Sequence, residues 1–464
     1  MNVFPRFIPP LDPAFQPAVL VNRAYEQRVA ADPHRQHLVL GVEREGGRVS
    51  RLSVEIVDPH APDTRQYVER LAKFMLWGWG GWRLYVGGPA ALAEPIAAAY
   101  RAGGARAFDA ELMGRVYERP FEVVACSADE VPPERDTGMP VGGHLNGCRL
   151  GFDLGASDFK LAAVCDGTVV HTEEVPWTPK DQADPEYHYV LLAEGLKRVA
   201  THLPRVDAIG GSSAGVIVRN RIMVASLFRS VPPARFSEAR DLFLRIGREW
   251  GVPFEVANDG DVTALAGAMG LGVNGILGVA MGSSEAAGCL DRNGRLRGWL
   301  TELAFAPVDY APDAPADEWS GDRGVGAMYF SQQAVGRLLK PAGIDVAVDM
   351  PLPERLKHLQ ALMAKGDRRA LLVYQTIGIY LGYALPHYAR FYDVGHALVL
   401  GRVTTGAGGE TVVNKAREVL AGEFPEFADR LHVDVPDEKT RRVGQAVAAA
   451  SLPALAATGK ETRT

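Results

Sequence analysis

Cysteine is scarce in this chain. Its four residues, Cys126, Cys148, Cys165 and Cys289, lie far apart and form no CxxC pair. That spacing argues against a dense disulfide framework and fits reduced thiols in a cytoplasmic setting. Long apolar runs are missing too, so no segment is expected to span a bilayer and no membrane partner is expected. The opening "MNVFPRFIPPLDPAF" is broken by prolines and lacks the apolar stretch of a signal peptide. Neither sign of charge dominates: 50 Lys and Arg stand against 56 Asp and Glu, a net charge of −6. That gives no electrostatic reason to expect nucleic acid as a partner. The 11 histidines show no metal-ligand spacing. Low-complexity sequence is confined to the alanine-rich end, which reads as a closing helix.

What is present is ordinary globular composition, 47% hydrophobic and 23% charged. At 464 residues the chain exceeds what one core serves, so two or three domains are expected. Strand and helix signals alternate throughout, which predicts an α/β protein. "SADEVPPERDTGMPVGGHLNG", residues 127–147, is rich in proline, glycine and charge and reads as a linker. Before it, 37–57 reads as a hairpin around Gly46-Gly47, 64–79 as a helix, 82–88 as a strand and 91–104 as a helix. Residues 1–126 are therefore expected to form a small α/β domain. Its strand–strand–helix–strand–helix order also occurs after residue 149, which raises the idea of a degenerate duplication. Trp77, Trp79 and Trp82 invite a sugar-stacking role, but aromatic packing at a helix–strand corner explains them better.

The chemistry is concentrated in turns that follow strands. "GFDLGASDFKLAAV", 151–164, is two strands around a turn holding Asp153, Gly155 and Ser157. Glycine lets backbone N–H groups approach a polyphosphate, a hydroxyl can bond a phosphate oxygen, and a carboxylate can hold Mg²⁺ through water. An ordinary hairpin turn would also contain such residues. Four later segments share the pattern: "IGGSSAG" (209–215), "VANDGD" (256–261), "VAMGSSEAAG" (279–288) and "LVLGRVTTGAGG" (398–409). "IGGSSAG" reads as a strand leaving into a loop of small residues. In α/β folds ligands bind beyond the carboxyl ends of strands.

In that order the segments resemble the ROK sugar kinases and repressors of the actin–hexokinase ATPase superfamily, over roughly 148–453. The resemblance implies a two-lobed, actin-like (ribonuclease H-like) ATPase fold preceded by the small α/β domain. The implied boundaries are 1–126, a linker at 127–147, a first lobe at 148–270 and a second at 271–464. The closing helix would return to the first lobe, and the lobes would close on substrate. The implied activity is ATP-dependent phosphorylation of a sugar or polyol hydroxyl. Asp259 matches the general base, while Asn258, Glu302, Ser213 and Gly215 match substrate-binding positions. Asp153, Gly155, Ser157, Gly282, Ser283, Ser284 and Gly401 match the nucleotide and phosphate positions, with Asp153 also serving Mg²⁺. Asn258-Asp259 would equally suit a helix N-cap, and the two roles are compatible.

The departures are as specific. Phe305 stands where the family has a zinc-binding His. Glu318, Ser320 and Val325 replace its cysteines, and Ala327 replaces a sugar-binding Glu. No zinc is therefore expected. Glu285 follows Ser284 in the second phosphate loop, where it would repel a triphosphate unless it points away or serves the metal. These losses support an alternative, a non-catalytic regulator that binds sugar or nucleotide. A repressor is disfavoured, since 1–126 shows no basic recognition-helix pattern. A homodimer is left open.

Overall fold

The computed structural model describes residues 3–136, 141–436 and 444–455. The chain divides into two compact units. One holds Met1–Thr137, Gly275–Ala287 and Trp299–Pro436; the other holds Gly138–Asn274, Gly288–Gly298 and Asp437–Thr464.

The first unit opens with α1 (Ala18–Ala30), the hairpin β1 (Gln36–Glu43) and β2 (Val49–Ile56), and α2 (Pro62–Gly78). Then come β3 (Arg83–Gly87), α3 (Ala90–Tyr100), α4 (Ala107–Tyr117) and β4 (Glu122–Cys126). The hairpin turns at Gly46 and Gly47, both with positive φ, as its sequence predicts. The four strands form one sheet in the order β2-β1-β3-β4. Residues 127–136 are not a free linker. Arg135 exchanges backbone hydrogen bonds with Val49, and Val131 is buried. The rest of the expected linker includes 137–140, which lie outside the described residues.

In the second unit, β5 (Cys148–Leu154), β6 (Asp158–Cys165) and β7 (Thr168–Pro176) make an antiparallel meander. After α5 (Pro185–Ala200) comes β8 (Ala208–Ser213), parallel to β5. A small hairpin, β9 (Val216–Val218) and β10 (Arg221–Val224), precedes α6 (Phe236–Arg240) and α7 (Leu242–Trp250). β11 (Phe254–Asn258) joins parallel to β8, and α8 (Asp259–Leu271) follows at once. The sheet order is β11-β8-β5-β6-β7. Its core packs Phe152, Leu192, Leu196, Phe243 and Ile246.

"IGGSSAG" differs from its expected reading. Gly210 to Ser213 lie inside β8 rather than in a loop. The reason is packing: helix Gln445–Ala450 presses on the sheet where Gly151 and Gly210 leave room. A Cβ on Gly151 would sit 1.8 Å from the Ala446 carbonyl oxygen, and one on Gly210 would sit 1.7 Å from that of Ala449. That closing helix therefore lies on the expected first-lobe sheet. The alanine-rich end beyond 455 is outside the described residues.

A further sheet, ordered β13-β12-β14-β15, is formed by β12 (Ile276–Met281), β13 (Glu285–Leu290), β14 (His396–Leu400) and β15 (His432–Asp434). Its hairpin-then-two-parallel-strands topology matches that of β6-β5-β8-β11. The N-terminal sheet has the same strand order, but β1 and β3 run antiparallel. That directional difference speaks against the suspected duplication.

Residues 1–126 keep their own sheet but share a unit with the chain's later third. Phe74 of α2 stacks on Phe391, with ring centroids 3.9 Å apart. Trp77, Trp79 and Trp82 are buried, in line with the packing role.

Candidate functional site

In the second unit, three parallel strands end side by side. The register pairs Leu154 with Ser213 and Ser213 with Asn258; one step back, Asp153 faces Ser212. Parallel pairing thus gathers Asp153, Ser212, Ser213, Asn258 and Asp259 at the carboxyl ends of adjacent strands. Asp153 is 8% exposed and accepts a 2.7 Å hydrogen bond from the Ser212 hydroxyl. Burial raises its pKa to about 6; the Ser212 bond opposes that rise and the charge of Asp259 adds to it.

Asn258 caps α8. Its Oδ1 accepts from the Gly260 N–H at 2.7 Å, while its Nδ2 donates to the Gly215 carbonyl at 2.6 Å. Gly215 has φ +113, and a Cβ there would sit 2.4 Å from the Val224 carbonyl oxygen. Its carbonyl is thereby held against the Asn258 amide. Ser213 is fully buried, with its hydroxyl donating to the Ala214 carbonyl at 3.4 Å. Asp259 follows β11 directly and opens α8, where the helix N-terminus favours a carboxylate. Its Oδ1 accepts from the Gly260 N–H at 2.9 Å, and burial raises its pKa. Asp261 was not singled out from sequence. Burial pushes it to about pKa 7, and its Oδ1 accepts from the Cys289 N–H at 3.1 Å. The signal was there in "NDGD", a second carboxylate in the first helical turn.

The turn between β5 and β6 is tight. Gly155 N–H donates to the Asp158 carbonyl at 3.0 Å, and a Cβ on Gly155 would sit 2.8 Å from that oxygen. Ser157 is exposed, but its hydroxyl donates to Asp158 Oδ2 at 2.7 Å. A carboxylate therefore shares this turn with the groups expected to meet phosphate.

The first unit repeats the device. β12 turns through Gly282, Ser283 and Ser284, closed by Gly282 N–H to the Ser284 carbonyl at 3.0 Å. Both serines are exposed. Neighbouring β14 is followed by Gly401, with φ +95, whose missing Cβ lets it lie against the Met281 backbone. The structure thus brings Gly401 beside the Gly282 turn. Glu285 is turned inward and is 3% exposed. Its Oε1 accepts from the Tyr388 hydroxyl at 3.3 Å, and its Oε2 is buried without a hydrogen-bond partner. Burial raises it to about pKa 8, with Glu302 adding to the rise. Its carboxylate therefore points into the core, away from solvent. Glu302 is half-buried in the irregular run that follows Trp299.

Solved structures share the architecture of about two thirds of this chain. A ROK hexokinase from Thermus thermophilus matches at TM-score 0.51 and 21% identity, over 65% of this chain and 97% of that one. A ROK family transcriptional regulator, homologous to the E. coli MLC protein, matches at TM-score 0.51 and 20% identity, over 66% and 79%. The fold is the ROK fold. No family model matches the chain, and no curated protein does either.

Against the ROK pattern, the positions expected to differ carry packing. Phe305 lies with its ring 4.4 Å from Trp77, and Val325 and Ala327 are buried. The Ser320 hydroxyl donates to Asp317 Oδ2 at 2.9 Å. Among the described residues, no group of three His, Cys, Asp or Glu is placed to hold a metal ion.

Proposed function

We propose that this protein is a MgATP-dependent kinase acting on a hydroxyl of a sugar or polyol, with Asp259 as general base. The observation that carries the reading is Asp259 at the junction of β11 and α8, beside the ends of β8 and β5, with its basicity raised by burial. A carboxylate of raised pKa is better matched to taking a hydroxyl proton near neutral pH. Asn258, fixed by its bonds to Gly215 and Gly260, is assigned to substrate hydroxyls, together with Glu302, Ser213 and Gly215. The turns at Gly155–Ser157 and at Gly282–Ser284 are each assigned to phosphate, and Gly401 to the nucleotide.

Asp153 suits Mg²⁺: it is a hard oxygen donor whose ionisation is opposed by burial and by a second carboxylate. When bound, the ion would neutralise phosphate charge. The protein's own part is to orient the acceptor, receive its proton at Asp259 and keep Asp153 aligned through Ser212.

A second reading is a sugar- or nucleotide-binding regulator without turnover. Its specific support is Asp158, whose carboxylate accepts the Ser157 hydroxyl in the turn assigned to phosphate. The test is ADP release from MgATP across hexoses, amino sugars and polyols, with Asp259→Asn as control. Acceptor-dependent turnover that is lost in the variant supports the kinase. Calorimetric binding of nucleotide or sugar without turnover favours the regulator.

A further inference from the structure

The run from 299 to 325 carries Glu302, yet its helical content is one 3-10 turn, Leu303–Phe305. Besides hydrogen bonds within itself, it is held along its length by the N-terminal segment. At its start, Trp299 Nε1 donates to Asp136 Oδ2 at 2.6 Å. Asp136 Oδ1 also accepts from buried Arg44 at 2.5 Å, and Arg44 reaches the Trp79 carbonyl at 3.3 Å. Next, the N–H groups of Leu300, Thr301 and Glu302 donate to the carbonyls of Trp79, Gly78 and Trp77, at 3.2, 2.9 and 2.9 Å. These acceptors are the last carbonyls of α2, which have no partner within the helix. Thr301 is held with φ +50, a conformation a β-branched residue adopts only when its surroundings impose it. Phe305 then packs between Trp77 and Phe108. Ala18 N–H donates to the Val308 carbonyl, and Tyr310 N–H to that of Gln16, both at 2.9 Å. Finally, Asp322 meets Arg106 at 2.7 Å, Arg70 at 3.0 Å and Lys73 at 3.3 Å. Those three cations hold its carboxyl well below the usual carboxylate range against its burial.

We propose that the N-terminal segment is a positioning scaffold for the acceptor end of the site: by binding 299–325 at Asp322 and at the end of α2, it fixes the backbone that presents Glu302. The proposal rests on the assignment of Glu302 to substrate made above. Lys73, Arg70, Arg106 and Phe108 are then positioning residues.

The experiment uses the full chain and two variants, Asp322→Asn and Phe108→Leu. One arm measures amide hydrogen exchange. We expect the amides of Leu300, Thr301 and Glu302 to exchange about tenfold faster or more, with β5 and β8 unchanged. The other arm measures kinetics with whichever acceptor the panel shows to be phosphorylated. We expect acceptor KM to rise about tenfold, with kcat and the KM for ATP within about threefold. Unchanged exchange at 300–302, or acceptor and ATP constants rising together, overturns the scaffold. If the wild type phosphorylates nothing, the kinase reading fails and the exchange arm alone decides the scaffold. If Asp322→Asn does not fold, Phe108→Leu, which strands no buried charge, carries both arms.

An independent observation concerns Cys148 and Cys165, both free thiols directly opposite each other across β5 and β6. Asp166 N–H donates to the Gly147 carbonyl, whereas Cys148 uses its N–H and C=O on Asp207. The cysteines therefore form a non-hydrogen-bonded pair, for which Cα atoms lie about 4.5 Å apart. That falls inside the range a disulfide spans. Both side chains face the same core. The geometry points to a reversible cross-strand disulfide between Cys148 and Cys165, formed with a peroxide as oxidant. The partly exposed Cys165 sulfur attacks one peroxide oxygen as the O–O bond breaks, and the departing hydroxide takes the thiol's proton, giving a sulfenic acid and one water. The Cys148 sulfur then displaces the second oxygen as water, and two electrons in all pass to the peroxide. The test treats the full chain with hydrogen peroxide and maps peptides without reduction. A Cys148–Cys165 linked peptide, lost with dithiothreitol and in Cys165→Ser, with a melting midpoint raised by several degrees, is expected. Oxidised protein in which both thiols still alkylate, or Cys165 found joined only to another cysteine, overturns it.

Discussion

The Ser212 hydroxyl hydrogen-bonds the Asp153 carboxylate at 2.7 Å, from the neighbouring parallel strand. That bond lowers the pKa of a carboxyl that burial raises to about 6. Ser212→Ala should therefore move Asp153 ionisation to higher pH, read by carbon-detected NMR titration of its carboxyl. Losing a bond to a buried acceptor should also cost about 1–2 kcal/mol in urea unfolding. An unmoved titration would show that Ser212 does not tune Asp153.

Asp259→Asn keeps the side chain's volume and removes its basicity. If Asp259 receives the acceptor proton, turnover should fall by about 10²- to 10⁴-fold. Nucleotide affinity, measured by calorimetry, should stay within about threefold, because the role is felt in the transition state. A wild-type rate in the variant removes Asp259 from the mechanism.

Much of the local structure of the candidate site could be read from sequence because it is built from local pieces. The turn at Asp153–Ser157 lies inside a hairpin, and the cap at Asn258-Asp259 sits where a strand meets a helix. What stayed hidden depends on distant pairing. Ser212 reaches Asp153 through a strand register set between residues 59 apart in the chain. Asp322 meets Lys73 only after the N-terminal segment folds against the later third. The strand in "IGGSSAG" runs on to Ser213, further than its small residues suggest, because its glycines make room for a helix that lies more than 230 residues further along the chain, at 445–450. The direction of Glu285 follows from strand pairing, since successive side chains on β13 alternate between faces.

Gly210→Ala tests that helix contact. The added Cβ would fall 1.7 Å from the Ala449 carbonyl oxygen, a backbone atom with little freedom to move. Either the closing helix lifts or the strand shifts, and we expect a loss of about 3 kcal/mol in denaturant unfolding. Gly251→Ala is the comparison: its φ of +63 brings backbone strain, but no atom lies within 4 Å of the added carbon. Its loss should be smaller, about 1 kcal/mol. Equal losses would mean that helix packing is not what excludes a side chain at 210.

Glu285 sets a pH dependence whose sign is fixed by its surroundings. Burial raises its pKa to about 8 from the ordinary 4.5. The folded protein therefore binds this proton more tightly than the unfolded chain does. The resulting stabilisation is fully present below about pH 4.5 and is lost as pH rises through about 8. Above that, folding must bury a charge whose Oε2 has no hydrogen-bond partner. Glu285→Gln keeps the acceptor for the Tyr388 hydroxyl and removes the ionisation. Its melting midpoint should exceed that of the wild type at pH 9 and approach it at pH 5, flattening the alkaline limb of the stability curve. Parallel curves for the two proteins from pH 5 to 9 would mean that Glu285 does not titrate in the fold.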